Sequence, residues 1–278
     1  MFRKIAHKTV SYNFLIALAA SAASHLTILR INEQNNLVLI AIIFFATLSI
    51  YNFPRLPLQK PLTTRTWICF SSILVAALLI FNYNFISINL FLTAILFCLI
   101  YMMPFNYKGK RIKGIRNIFL LKNIFLAASW ALITVLLPMA ALGHESPIIP
   151  EVFLLRFIYV FGISLLFDIR DTERDKTRNH LTLPVVLGIT VTRYIVIASA
   201  ALFILILTVL YRHQHFTEAM AFAFMISALL LVVAAITAPP VSNFRFYQIG
   251  VDSLLIVQIL LNSFYTCIVL KILFYFFW

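Results

Sequence analysis

An all-α bundle of nine transmembrane helices, forming one domain over residues 1–278, is the fold that this sequence predicts. Three observations predict it. Hydrophobic residues make up 63% of the chain and Asp, Glu, Lys and Arg only 11%, against about 25% charged in an ordinary soluble domain. The apolar residues fall in runs of about 18 or more, the length that crosses a bilayer. The basic residues then sort onto one side of those runs.

The runs place spans at 10–29, 36–53, 66–84, 86–104, 118–142, 149–168, 184–211, 216–238 and 251–276. The first follows a basic leader, Met1 to Lys8. A signal peptide opens the same way, with Ala20-Ser21-Ala22 as a small-residue cleavage site, but the run fits equally well as a first span. Asn82, Asn84 and Asn89 mark the outer ends of the third and fourth spans. A basic stretch, 108–122, separates the fourth from the fifth. The sixth runs directly into a charge cluster at 168–178. Pro184 suits the first turn of the seventh, and Asn179 suits the turn before it, because asparagine adopts a left-handed backbone with little strain. His213 and His215 share the short outer loop before the eighth. Asp252 begins the ninth, where the helix dipole favours an acid; the other reading gives it a role at the cytoplasmic mouth.

With the N-terminus inside, the cytoplasmic side takes 18 of the 22 basic residues, and the opposite side keeps Arg30, Arg156, Arg212 and Lys271. An error of one span would scramble so lopsided a division. The chain therefore reads as integral to a membrane, the bacterial inner (plasma) membrane, with a cytoplasmic N-terminus. Its net charge of +13 has no soluble domain to carry a nucleic-acid partner, so lipid headgroups and phosphorylated substrates are its expected counterparts. Cys69, Cys98 and Cys267 each sit alone in apolar runs, which excludes a zinc or disulfide framework. The six histidines form no ligand spacing. Repeat symmetry and mid-membrane ionisable groups, the marks of a transporter, are not visible.

Four of the nine acidic residues fall within Phe167–Lys176. On a helix, Asp168, Asp171 and Asp175 (i, i+3, i+7) lie within roughly 60° of one another. Three carboxylates on one stripe repel each other unless a cation joins them, and hard oxygen donors suit Mg²⁺. The other reading is a solvated loop whose acids pair with Arg170, Arg174, Lys176 and Arg178.

The stretch Asp168-Ile-Arg-Asp-Thr-Glu-Arg-Asp175, followed by Thr182-Leu-Pro-Val-Val-Leu-Gly188, resembles the second aspartate-rich motif of the UbiA-type intramembrane prenyltransferases. Tyr101-Met-Met-Pro104, Lys110-Arg111, Lys122-Asn123 and Trp130-Ala131 are similar to that family's Y-x-x-P…K-R…K-N…W-A stretch. The resemblance implies transfer of an isoprenoid chain from a prenyl diphosphate to a lipophilic, often aromatic, acceptor in the bilayer. It implies Mg²⁺ on Asp168, Asp171 and Asp175 as metal ligands and catalytic residues, with Lys110 and Arg111 on the diphosphate. The family's first aspartate-rich motif is missing. Ile50-Tyr51-Asn52-Phe53-Pro54-Arg55 stands in its place, and residues 1–144 hold a single acid, Glu33. Asn52 and Arg55 are the expected diphosphate contacts there, since a guanidinium grips phosphate with two N–H groups and stays charged. A non-catalytic UbiA-like protein that binds an isoprenoid lipid or a membrane partner, with Arg55 paired to Asp168 or Asp171, is the alternative.

Overall fold

In a bilayer core no water serves the backbone, so each apolar run closes its own hydrogen bonds as a helix. The computed structural model describes residues 12–32, 36–53, 63–82, 92, 96, 105–107, 110–112, 119–241 and 243–277. Its helices are α1 (Phe14–Asn32), α2 (Leu37–Asn52), α3 (Thr64–Asn82), α4 (Leu121–Ala131), α5 (Leu137–Ala141), α6 (Ile149–Thr177), α7 (Leu183–Val186), α8 (Ile189–Arg212), α9 (Glu218–Thr237) and α10 (Leu254–Phe277). A π-helical turn, Leu132–Leu136, joins α4 to α5, and another, Arg245–Val251, leads into α10.

Among the described residues, α3, α4 with α5, α6, α8 and α9 are long and apolar enough to cross a membrane. The Arg245–Val251 turn and Leu254–Ile268 of α10 meet at 44°, a sixth span where the bent pair crosses as one, while α1 and α2 are shorter apolar helices. Of the nine predicted spans, 86–104 lies outside the described residues except for Leu92 and Leu96. The bundle also departs from a purely helical one. Two short antiparallel strands, Phe105–Tyr107 and Lys110–Ile112, pair within the basic stretch.

The packing order closes a ring: α4 packs on α6, α6 on α8, α8 on α9, α9 on α10, α10 on α1, and α1 on the Leu132–Leu136 turn and α5. α2 packs on α1, and α3 on α2. Among the described spans helix α6 is the most enclosed, with 72% of its apolar stretch inside the protein against 17% for α3. Gly162 explains part of that closeness, because a Cβ there would meet Ser199 Oγ at 2.7 Å and Leu231 Cδ2 at 3.0 Å.

Helix α6 has 29 residues, about 43 Å at 1.5 Å per residue, against a hydrocarbon core of about 30 Å. Its last turns, which carry the aspartates, therefore extend past the apolar slab. Asn179 then takes the left-handed conformation at φ +52°, and Gly188, at φ +87°, separates α7 from α8.

A guanidinium lies well inside. Arg156, assigned to the outer side by its position in the sequence, is buried within the bundle at 5% exposure. Its Nη1 donates to Gln258 Oε1 on α10 and its Nη2 to the Ala23 carbonyl on α1, both at 3.1 Å. One turn on, the Tyr159 hydroxyl donates to the Ser227 carbonyl on α9 at 3.2 Å.

Candidate functional site

A cavity of about 290 Å³ opens along α6 between the first, middle and last helices. Helical spacing brings Val160, Ile163, Ser164, Phe167, Asp168 and Asp171 to one wall. From Val160 to Asp171 the wall rises roughly 16 Å and passes from aliphatic to charged. Ile16 and Ala19 of α1, Leu126 and Trp130 of α4, and Val251 and Leu255 near the start of α10 continue the apolar part. Lys122, Asn123, Arg170, Gln248 and Asp252 supply polar groups. A chamber with an ionic end and a hydrocarbon end suits an amphiphile.

The ionic end is closely knit. Lys122 Nζ lies 2.8 Å from Asp168 Oδ1 and 3.8 Å from Asp175 Oδ2. Asn123 Nδ2 donates to Asp168 Oδ2 and to Ser164 Oγ, both at 3.0 Å. Arg170 forks onto Asp171, Nε to Oδ1 at 2.9 Å and Nη2 to Oδ2 at 3.0 Å. Arg174 Nη2 adds a third donor to Asp171 Oδ2 at 2.6 Å. The Arg170 guanidinium lies over the Phe167 ring at 4.8 Å and the Tyr247 ring at 5.6 Å, which holds the fork in place.

This arrangement corrects the three-aspartate stripe. The i, i+7 pair does share one cation, but the cation is the Lys122 ammonium. Asp171 turns to the guanidiniums beside it instead of joining that pair, and Asp175 is not among the cavity-lining residues. Asp175 Oδ1 instead lies 3.5 Å from His180 Nδ1. Among the described residues no three His, Cys, Asp or Glu side chains form a group that fits a metal ion. Each of the four oxygens of Asp168 and Asp171 already carries an N–H donor, so the side chains present do not fit the Mg²⁺ site that the resemblance implies.

Asn52 also differs from its expected place. Its Nδ2 donates to the Tyr12 and Leu48 carbonyls at 2.8 Å, and its Oδ1 accepts from Asn13 Nδ2 at 3.2 Å. It is fully buried in the α1–α2 contact, and its neighbour Tyr51 lines the cavity instead. Arg55 lies outside the described residues. Lys110 and Arg111 are described as the second strand, their backbones opposite Tyr107 and Asn106.

Sequence reasoning missed Tyr51, Trp130 and Gln248 as wall residues and Lys122 as the partner of Asp168. The available signal for Lys122 was its place at the end of the acid-free basic stretch. Asp252, read mainly as a helix-start acid, lines the same cavity.

Comparison with known proteins agrees with this fold. A UbiA homologue from Archaeoglobus fulgidus bound to Cd²⁺ superposes with a TM-score of 0.62 at 13% identity, over 92% of this chain and 97% of that one. A structure of a UbiA homologue from the same organism, bound to GPP and Mg²⁺, gives 0.59 at 11% identity, over 92% and 96%. A digeranylgeranylglyceryl phosphate synthase gives 0.56 at 16% identity, over 92% and 97%. At these identities the likeness is one of fold. No protein of curated function matches the sequence. The model of the UbiA prenyltransferase family, however, matches residues 55–247. With well over half of its length matched, and with this helical ring around an ionic-to-apolar chamber, the chain belongs to the UbiA prenyltransferase family.

Proposed function

We propose that this protein is an integral-membrane prenyltransferase, a single domain over residues 1–278, that moves an isoprenoid chain from a prenyl diphosphate to a lipophilic acceptor, possibly an aromatic one. The membrane is read as a bacterial inner membrane, with the basic loops and the N-terminus in the cytoplasm. One observation carries the reading: a single cavity joins the Lys122, Arg170, Asp168 and Asp171 cluster to an aliphatic and aromatic wall. The diphosphate belongs at the first end and the prenyl chain at the second.

In the reaction the bond between the prenyl C1 and the diphosphate oxygen breaks, and its electron pair leaves with the diphosphate. A new bond joins C1 to the acceptor, and the acceptor gives up a proton. Negative charge gathers on the leaving group, so cations held ready there stabilise the transition state. Lys122, Arg170, Lys110, Arg111 and Arg55 are the groups proposed for that work. Asp168, Asp171 and Asp175 hold Lys122, Arg170 and Arg174 in position. Tyr51, Trp130 and Leu126 keep water from the allylic cation.

A second reading, a non-catalytic prenyl-lipid binder, is favoured by the two guanidiniums that clamp Asp171. Purified protein in liposomes, given labelled prenyl diphosphates of several chain lengths and a membrane lipid extract as acceptor source, separates the two. Diphosphate release that is lost in Asp171→Ala supports the transferase. Saturable binding without release supports the binder.

A further inference from the structure

We infer that Lys122 is a tethered replacement for a divalent cation, so that this protein binds the diphosphate of a prenyl diphosphate without Mg²⁺. The inference rests on the chamber being a prenyl diphosphate site.

A metal in such a site has two tasks. It relieves repulsion among the carboxylates, and it offers positive charge to the phosphate oxygens. Lys122 already performs the first. Its ammonium sits between Asp168 and Asp175, the i, i+7 pair, at 2.8 and 3.8 Å. Its side chain is 17% exposed and those of both acids 7%, so the pair is held in a low-dielectric pocket where the attraction is strong. Arg170 and Arg174 do the same for Asp171 through three bonds of 2.6–3.0 Å. An incoming Mg²⁺ would have to displace an ammonium or a forked guanidinium to reach either cavity-facing carboxylate directly.

The second task falls to the same cations. An ammonium has three N–H donors, so Lys122 keeps donor capacity for a ligand oxygen after meeting its two acids. Both Lys122 and Arg170 line the cavity. In the sequence, Lys108, Lys110, Arg111, Lys113 and Arg116 precede Lys122 with no acid among them. The carboxylates of a first aspartate-rich motif, which would repel a diphosphate in the absence of metal, are not in this sequence: Glu33 is the single acid before Glu145. Loss of those acids and occupation of the remaining ones by Lys and Arg point the same way.

The test is binding of geranyl diphosphate to the full-length protein in nanodiscs, with excess EDTA and with excess Mg²⁺, for the wild type, Lys122→Gln and Lys122→Arg. The wild type is expected to bind equally under both conditions. Lys122→Gln loses a charged hydrogen bond to the ligand, so binding in EDTA falls about tenfold or more. It also releases Asp168 and Asp175, so Mg²⁺ restores part of the loss. Lys122→Arg keeps the cation and stays metal-independent. A thermal melt in each membrane sample identifies a variant that has lost its fold, and Lys122→Arg then carries the comparison. Wild-type binding that appears only with Mg²⁺ overturns the metal-free inference and leaves the prenyl diphosphate site intact. Absence of binding under both conditions overturns the site itself, and the inference with it.

Discussion

The indole N–H of Trp130 donates to the hydroxyl of Tyr51 over 2.9 Å, and it joins α4 to the end of α2 across 79 positions of sequence. Both side chains line the cavity, so this bond fixes two aromatic faces toward it. Tyr51→Phe keeps the ring but leaves a half-buried N–H without that acceptor, at a cost of about 1–3 kcal/mol. A lower melting temperature in detergent and reduced diphosphate release should follow, while Tyr51→Leu should lower release further.

Asp168 anchors Lys122 and Asn123 together. Asp168→Asn leaves the Lys122 ammonium in a mostly buried position with Asp175 at 3.8 Å as its remaining carboxylate. Removing one partner of a buried pair costs about 3–5 kcal/mol, reduced here because Lys122 keeps some solvent and a second acid. The measured result should be a clear loss of thermal stability and weaker binding of geranyl diphosphate.

Asp252 places a negative charge on the cavity wall formed by the last helix. Like charges about 16 Å apart repel by about 1 kcal/mol at an effective dielectric near 20, and a diphosphate at the ionic end meets repulsion of at most that order from it. Asp252→Asn should therefore tighten geranyl diphosphate binding several-fold, read by titration at low salt. The gain should shrink as ionic strength rises.

Gly162 sits where α6 faces Ser199 of α8 and Leu231 of α9. Gly162→Ala brings a methyl group against Ser199 Oγ and Leu231 Cδ2, and turning Ser199 aside breaks its bond to the Val196 carbonyl. The expected cost is about 1 kcal/mol. Gly162→Leu cannot be absorbed in this way and should abolish accumulation of folded protein, measured by size-exclusion chromatography in detergent.

Local chemistry made much of this protein legible in advance. The apolar runs gave α3, α4 with α5, α6, α8 and α9, because a bilayer accepts only closed backbone hydrogen bonds. Asn179 and Pro184 stood where turn geometry required them. The helical register of Asp168 and Asp175 also held, since period alone decides which residues share a face. What period does not contain is the partner across a helix contact. Lys122 reaches Asp168 through the α4–α6 packing, and Asp171 is drawn aside by an arginine seated on Phe167 and Tyr247. Asn52 turns inward because Asn13 offers it a bond 39 positions away. Asp252 and Gln248 reach the cavity through a π-helical turn, whose extra residue per turn shifts every later side chain around the axis.

The guanidinium of Arg156 has a consequence for how the chain is made. A lone arginine within a nascent span costs up to about 2.5–3.5 kcal/mol on insertion. Its two acceptors belong to a helix synthesised long before it and to one that emerges from the ribosome about a hundred codons later. The Arg156 charge is therefore only half satisfied until Gln258 has been made. The chamber is consequently a product of completed synthesis, and truncation anywhere before α10 should send the protein to membrane quality-control proteases.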